Sequence, residues 1–289
     1  MEYGQQYQQI PERKYECLLF DVDDTLYPLS CGLSRQTALN IRDYMVTKLG
    51  IEEEKVPELN AQLYNGYGTT MAGLLAIGYD LDYDDYHSYV HGRLPYDDIL
   101  KPDPVLKYLL QSLPIRKVIF SNANKEHVDQ VLGRLGLKEC FDQVICFETL
   151  NPINKRNRIG EEDESNPSTI LGTNTNFVNE SSEHNTVPPK PLVACKPSEV
   201  SFELALKTAQ INPKKTLFFD DSIRNLQIGK LMGLQTVWVG SSHRTKGVDH
   251  ALKSIHNMKE ALPDLWEAIE KTEDAHYTEQ VAIQTSVRA

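Results

Sequence analysis

Cys17-Leu18-Leu19-Phe20-Asp21-Val22-Asp23-Asp24-Thr25-Leu26 runs an apolar tetrad straight into three carboxylates and a hydroxyl. An apolar run that is continuous rather than alternating suits a strand covered on both faces, as in a parallel sheet. Four further runs read the same way, at 117–120, 144–147, 216–219 and 236–239. Helical spacing separates them. In 200–209 the residues Val200, Phe202, Leu204, Ala205 and Ala209 form a candidate buried stripe, with a start signal at Ser198-Glu199 and a stop at Pro213. Strands alternating with helices predict a doubly wound, Rossmann-like α/β core with right-handed connections. In such sheets ligands sit beyond the carboxyl ends of the strands.

The rhythm breaks twice. Residues 29–104 carry Ile41, Tyr44, Met45, Leu49, Leu63, Met71, Leu74 and Leu75 without a strand-like run, which predicts a small helical domain inserted after the first strand. The core is then 14–28 plus 105–270. Residues 151–191 are rich in Asn, Ser, Glu and Pro and poor in large apolar groups, so a flexible insertion is expected there. Polar tails at 1–13 and 271–289 are expected to be disordered.

Composition narrows the function classes. The chain has 289 residues, 40% hydrophobic and 25% charged, which suits a globular protein with a sizeable core. A net charge of -11 argues against a nucleic-acid partner, because phosphate backbones are held by clustered Lys and Arg. No apolar run approaches the roughly 20 residues that cross a bilayer, and the first 13 residues lack a signal-peptide core. The five cysteines are scattered without a CxxC pair, as in a reducing compartment, so a cytoplasmic (or nuclear) location is expected. The Asn179-Glu180-Ser181 sequon carries no weight there.

Chemistry collects at strand ends. Clustered carboxylates persist with a cation or with raised pKa values, and Mg2+, which takes oxygen ligands, meets that need. Leu217-Phe218-Phe219-Asp220-Asp221-Ser222 repeats the pattern of an apolar strand ending in acids. Each acidic end taken alone also reads as a capped helix start; two in one parallel sheet converge on a single edge. Val118-Ile119-Phe120 ends in Ser121-Asn122, a hydroxyl and an amide able to hold a phosphoryl oxygen, and Cys195-Lys196-Pro197-Ser198 sets a lysine just before a helix.

Together, aspartate-x-aspartate-x-threonine after the first strand, a serine after the second, a lysine before a helix and a late aspartate pair resemble the four motifs of haloacid dehalogenase-like hydrolases, in that family's order, over 17–239. The inserted helical unit resembles the family's small cap. The resemblance implies a phosphatase in which Asp21 is the nucleophile and Asp23 the general acid and base. It also implies that Ser121, Asn122 and Lys196 hold the phosphoryl group. The metal would then be held by Asp21, the Asp23 carbonyl and Asp221, with Asp220 acting through metal-bound water. An acid at position 23 favours an ester over a carbon–halogen bond, because an alkoxide needs a proton and a halide does not. Phosphotransfer between sugar positions stays open.

Tyr27, the 64–73 stretch Tyr-Asn-Gly-Tyr-Gly-Thr-Thr-Met-Ala-Gly and His91-Gly92-Arg93-Leu94-Pro95 resemble the pyrimidine 5'-nucleotidase-like subgroup of fungi and plants. That implies a nucleoside 5'-monophosphate, pyrimidine or a purine such as xanthosine monophosphate, as the small-molecule partner. Tyr67 is the candidate to stack on a base, with Thr69 or Arg93 bonding its edge or the ribose; Tyr67 and Met71 also read as plain packing of the cap helices. Other small phosphomonoesters (sugar phosphates, flavin mononucleotide, lysophospholipids) remain alternatives, as does a non-catalytic interaction protein. A monomer or homodimer is expected.

Overall fold

The computed structural model describes residues 14–152 and 193–266. The expected disordered tails and nearly all of the 151–191 insertion therefore lie outside the described residues. Six strands form one sheet in the order β3-β2-β1-β4-β5-β6, every pairing parallel: β1 Cys17–Phe20, β2 Arg116–Phe120, β3 Gln143–Ile145, β4 Thr216–Asp220, β5 Gln235–Val239 and β6 His250–Leu252. The doubly wound architecture follows from the strand sequences. Alternate residues point to opposite faces, and both faces are apolar. Leu18, Phe20, Ile119, Leu217 and Phe219 enter one core with Leu106 and Leu110 of α6 (Pro104–Gln111) and Val128 and Leu132 of α7 (Lys125–Leu135). Leu19, Val118, Phe120 and Phe218 enter the other with Phe202 and Ala205 of α9 (Glu199–Thr208) and Leu226 of α10 (Ile223–Leu231). Phe20 stacks on Phe219 with centroids 4.5 Å apart.

Between β1 and α6 the chain forms α1 (Leu33–Thr47), α2 (Val56–Tyr67), α3 (Thr70–Ala76), α4 (Tyr83–Val90) and α5 (Tyr96–Ile99). Tyr44, Met45, Leu63, Met71, Leu74 and Leu75 bury together in a third apolar cluster; Ile41 and Leu49 pack on its margin. Gly32 opens this unit with a φ of 90°, a left-handed turn that glycine adopts without strain. Asp103 closes it, its carboxylate accepting from Leu106 N at 2.9 Å ahead of Pro104. No described helix is long and apolar enough to cross a membrane.

Three local expectations need correction. The third strand stops at Ile145 because Cys146 becomes the N-cap of α8 (Phe147–Leu150), its amide donating to Thr149 Oγ1. The buried stripe of α9 is Phe202, Ala205 and the following Ala209; Val200 and Leu204 are exposed, at 45% and 37%. Finally, β6 has only three residues, His250-Ala251-Leu252, too short for an apolar run to announce it.

Candidate active site

Because β1 lies between β2 and β4, the residues that follow these strands stand side by side at one edge of the sheet. Asp21 extends β1, its amide bonded to Phe219 O at 2.9 Å. Ser121 extends β2 in the same way, bonded to Ile145 O. Asp220 is the last residue of β4. Lys196 reaches this row from the loop before α9. Its Nζ lies 2.7 Å from Asp21 Oδ1 and 2.9 Å from Asp220 Oδ2, with the rings of Phe120 and Phe218 at 5.0 and 5.6 Å. Burial alone would favour a neutral amine, yet the two carboxylates outweigh it and hold the Lys196 ammonium charged.

Ligating atoms of Asp21, Asp220 and Asp221 lie within 4.8 Å of one another. Burial, and then repulsion from neighbouring carboxylates, holds the pKa values of Asp21 and Asp221 above the ordinary range, although Lys196 opposes this at both. Three carboxylates facing one ammonium leave negative charge uncompensated, and an all-oxygen donor set suits a hard divalent cation. The residues present therefore fit the magnesium ion implied by the sequence. Asp220 is the most committed of the three: wholly buried, it also accepts from Ser222 N at 2.8 Å and Asn225 Nδ2 at 3.0 and 3.1 Å.

Asp23 faces the same cleft, two residues beyond Asp21. It accepts a hydrogen bond from Tyr27 Oη and pairs with His127 Nε2 at 2.7 Å. Burial pushes its pKa up, but the His127 charge and these hydrogen bonds together hold the carboxyl well below the usual range. His127 Nδ1 meets Tyr96 Oη at 2.8 Å. The asparagine after Ser121 has a different task from the one expected. Asn122 Oδ1 accepts from Lys196 N at 2.7 Å and its Nδ2 donates to Lys196 O at 3.0 Å, so this side chain clamps the lysine's backbone.

A cleft of about 430 Å³ joins this edge to the helical insertion. Thr69 lines it, and its Oγ1 also caps α3 by accepting from Ala72 N at 3.1 Å. Tyr67 does not line it. The ring packs on the margin of the insertion's apolar cluster, and the residue one turn earlier, Tyr64, borders the cleft instead. Arg93 is also elsewhere: it pairs with Asp43 at 2.9 Å and lies 4.4 Å over the Tyr89 ring, on an exposed face. Sequence reasoning missed Tyr64, Arg224, His87, His91 and His127, all cleft-lining. One signal was available, since His87 and His91 stand four apart and so share a helix face.

No protein-family model matches the chain. A curated relative, "Phosphate metabolism protein 8" of Saccharomyces cerevisiae, is 27% identical over 150 residues, covering 50% of this chain and 47% of that protein. The match thus spans about half the length of the relative. Among solved structures, CbbY from Rhodobacter sphaeroides in complex with phosphate superposes with a TM-score of 0.52 at 18% identity, covering 87% of this chain and 99% of its own. The β-phosphoglucomutase of Clostridium difficile does so with a TM-score of 0.51 at 15% identity, covering 91% and 99%. With a six-stranded parallel sheet, helices on both faces and a helical insertion after the first strand, this chain shares the fold of these two structures.

Proposed function

We propose that this chain is a phosphatase of small phosphomonoesters, with Asp21 as covalent nucleophile and a nucleoside 5'-monophosphate as substrate. The observation that carries the reading is the Lys196 ammonium bridging Asp21 and Asp220 at the cleft floor, with Asp221 in the same cluster. A binding or scaffolding role needs no buried ammonium held between carboxylates. The curated yeast relative is a phosphate metabolism protein by name, and the CbbY structure holds phosphate; both point the same way.

In the first step an Asp21 carboxylate oxygen attacks phosphorus while the bond to the leaving oxygen breaks, giving an aspartyl-phosphate. Asp23 delivers the proton that the leaving oxygen takes up. In the second step Asp23 takes a proton from water, the water oxygen attacks phosphorus, and the bond to Asp21 breaks to release phosphate. The resting contacts with Tyr27 and His127 keep Asp23 as the base the second step needs, so it must gain a proton as substrate enters. Lys196 and the Ser121 hydroxyl hold the phosphoryl oxygens, and Lys196 lowers the repulsion between Asp21 and the incoming anion. Asp21, Asp221 and the Asp23 carbonyl would hold magnesium, which would supply further neutralisation of phosphoryl charge when bound. Helices α1–α5 serve as a cap that chooses the leaving group and limits water. Tyr64 and Thr69 take the contacts with that group.

The test is phosphate release from a panel of nucleoside monophosphates, sugar phosphates and flavin mononucleotide, with and without magnesium, beside Asp21→Asn. Magnesium-dependent release, fastest with a nucleotide and lost in Asp21→Asn, is the expected result. Release that survives in Asp21→Asn removes the covalent route; preference for another ester removes the nucleotide.

A further inference from the structure

Three histidines line the cleft side by side. The His91 ring lies 4.4 Å from that of His127 and 5.5 Å from that of His87. Two of them are bonded into the protein: His127 by both ring nitrogens, to Asp23 and Tyr96, and His91 by Nδ1, to Asn124 Oδ1 at 2.7 Å. His87 is not. It is 7% exposed, with the Phe147 and Tyr86 rings at 4.8 and 5.6 Å, and neither Nδ1 nor Nε2 has a hydrogen-bond partner. A buried polar group without a partner is costly, and a leucine would fill the same space without that cost. Ile41, Met71, Val90 and Phe147 give the cleft its apolar surface, and His87 shares that lining with the bonded His91 and His127.

We infer that His87 is a specificity residue whose free ring nitrogen bonds a neutral hydrogen-bonding atom, a carbonyl, amide or ring nitrogen, on the substrate's leaving group. This rests on the proposed phosphatase reading and deepens it. Burial, the largest influence, pulls the His87 pKa down to about 4, so at neutral pH the ring offers one donor and one acceptor and no charge. It therefore suits a neutral group and not a second phosphate. The lysine and arginine that line the cleft among the described residues, Lys196 and Arg224, already face Asp21 and Asp220 and the Tyr64 carbonyl. A cleft that holds an unbonded ring beside apolar side chains discriminates against a ligand lacking the matching group, because the protein's own group then stays unpaired.

The experiment compares His87→Leu and His87→Gln with the unaltered protein on nucleoside 5'-monophosphates, ribose 5-phosphate and p-nitrophenyl phosphate. Expected for His87→Leu is a fall in kcat/KM on the nucleotides at least 10-fold greater than on the two smaller esters. The fall should lie mainly in KM, with partial recovery in His87→Gln. A thermal midpoint no lower than that of the unaltered protein would accompany it, because no internal bond is lost. Equal losses on every ester, or no loss on any, overturn the assignment. A second arm separates its failure from failure of the phosphatase reading. Calorimetric binding of nucleoside monophosphate and ribose 5-phosphate is measured in Asp21→Asn, with and without His87→Leu. Nucleotide binding weakened 10-fold by His87→Leu upholds the assignment even if no ester is hydrolysed; unchanged binding removes it.

Discussion

Lys196 is almost completely enclosed, and its ammonium answers to two carboxylates that are themselves buried. Removing one partner of such a group leaves the others uncompensated, which typically costs about 3–5 kcal/mol. Lys196→Met is therefore expected to lower unfolding free energy by that order in urea melts at pH 7 without added metal; an unchanged midpoint would mean the carboxylates simply take up protons. His87 gives a pH signature. Its folded pKa is depressed to about 4 from 6.5, so between those values the unfolded chain binds more protons and stability is lost as pH is lowered. The loss attributable to His87 is about 2 kcal/mol by pH 5 and about 3 kcal/mol once pH drops below 4. The stability gap between His87→Leu and the unaltered protein should widen as pH falls from 7 to 5; a constant gap would place the imidazole in a solvated setting. These residues were unequally legible. Asp21, Asp23, Asp220 and Asp221 follow apolar strands, and a strand end fixes where its next side chains go. The pairing of His127 with Asp23 joins positions 104 apart across a helix start, and no local pattern encodes it.

At the scale of elements, the turn between α2 and α3 brings the insertion onto the lysine loop. Gly68 has a φ of 88°, and a Cβ there would lie 2.4 Å from Lys196 O and 2.6 Å from Pro197 Cδ. Gly68→Ala combines a left-handed backbone with a collision against the backbone that carries the site's ammonium. We expect roughly 1–3 kcal/mol of destabilisation and a fall in kcat of about 100-fold, the scale set by ångström displacements at a reacting centre. Steady-state kinetics with a parallel thermal melt checks this; normal kcat would show that the contact gives way without moving Lys196. The helices of the insertion were legible as apolar content, since the expected residues do bury together. Their phase was not: whether Tyr64 or Tyr67 faces the cleft depends on how α2 rotates against α3. That is settled by Leu63 packing on Gly73, where an added Cβ would sit 2.6 Å from the leucine. Arg93 was misplaced for a similar reason, its guanidinium being drawn to Asp43 and Tyr89 on the outer face.

At the scale of the whole molecule, sheet order and charge act together. Three acids converge because β1 and β4 are neighbours, and their repulsion is a strain on the folded state that a bound cation relieves. Magnesium at 100 times its dissociation constant should add about 2.7 kcal/mol to stability. Chelation should abolish turnover and return the melting temperature to the metal-free value. Asp221→Asn, which removes the most accessible ligand, should blunt both responses; a full thermal response in that variant would move the metal elsewhere. The doubly wound sheet was readable from five apolar runs, while its sixth strand and the side-chain network above it depend on tertiary neighbours. One further feature bears on how this molecule tolerates change. Asn151 exchanges two hydrogen bonds with the backbone of Ala194, at 2.7 and 3.0 Å, and two residues on Asn122 grips Lys196 in the same bidentate fashion. Asn151 and Ala194 are thus joined before Lys196 is reached, so the lysine's position is insulated from the length of chain between them. Lengthening a loop costs only a logarithmic entropy, which makes this junction a natural splice point for a reporter or recruiting domain.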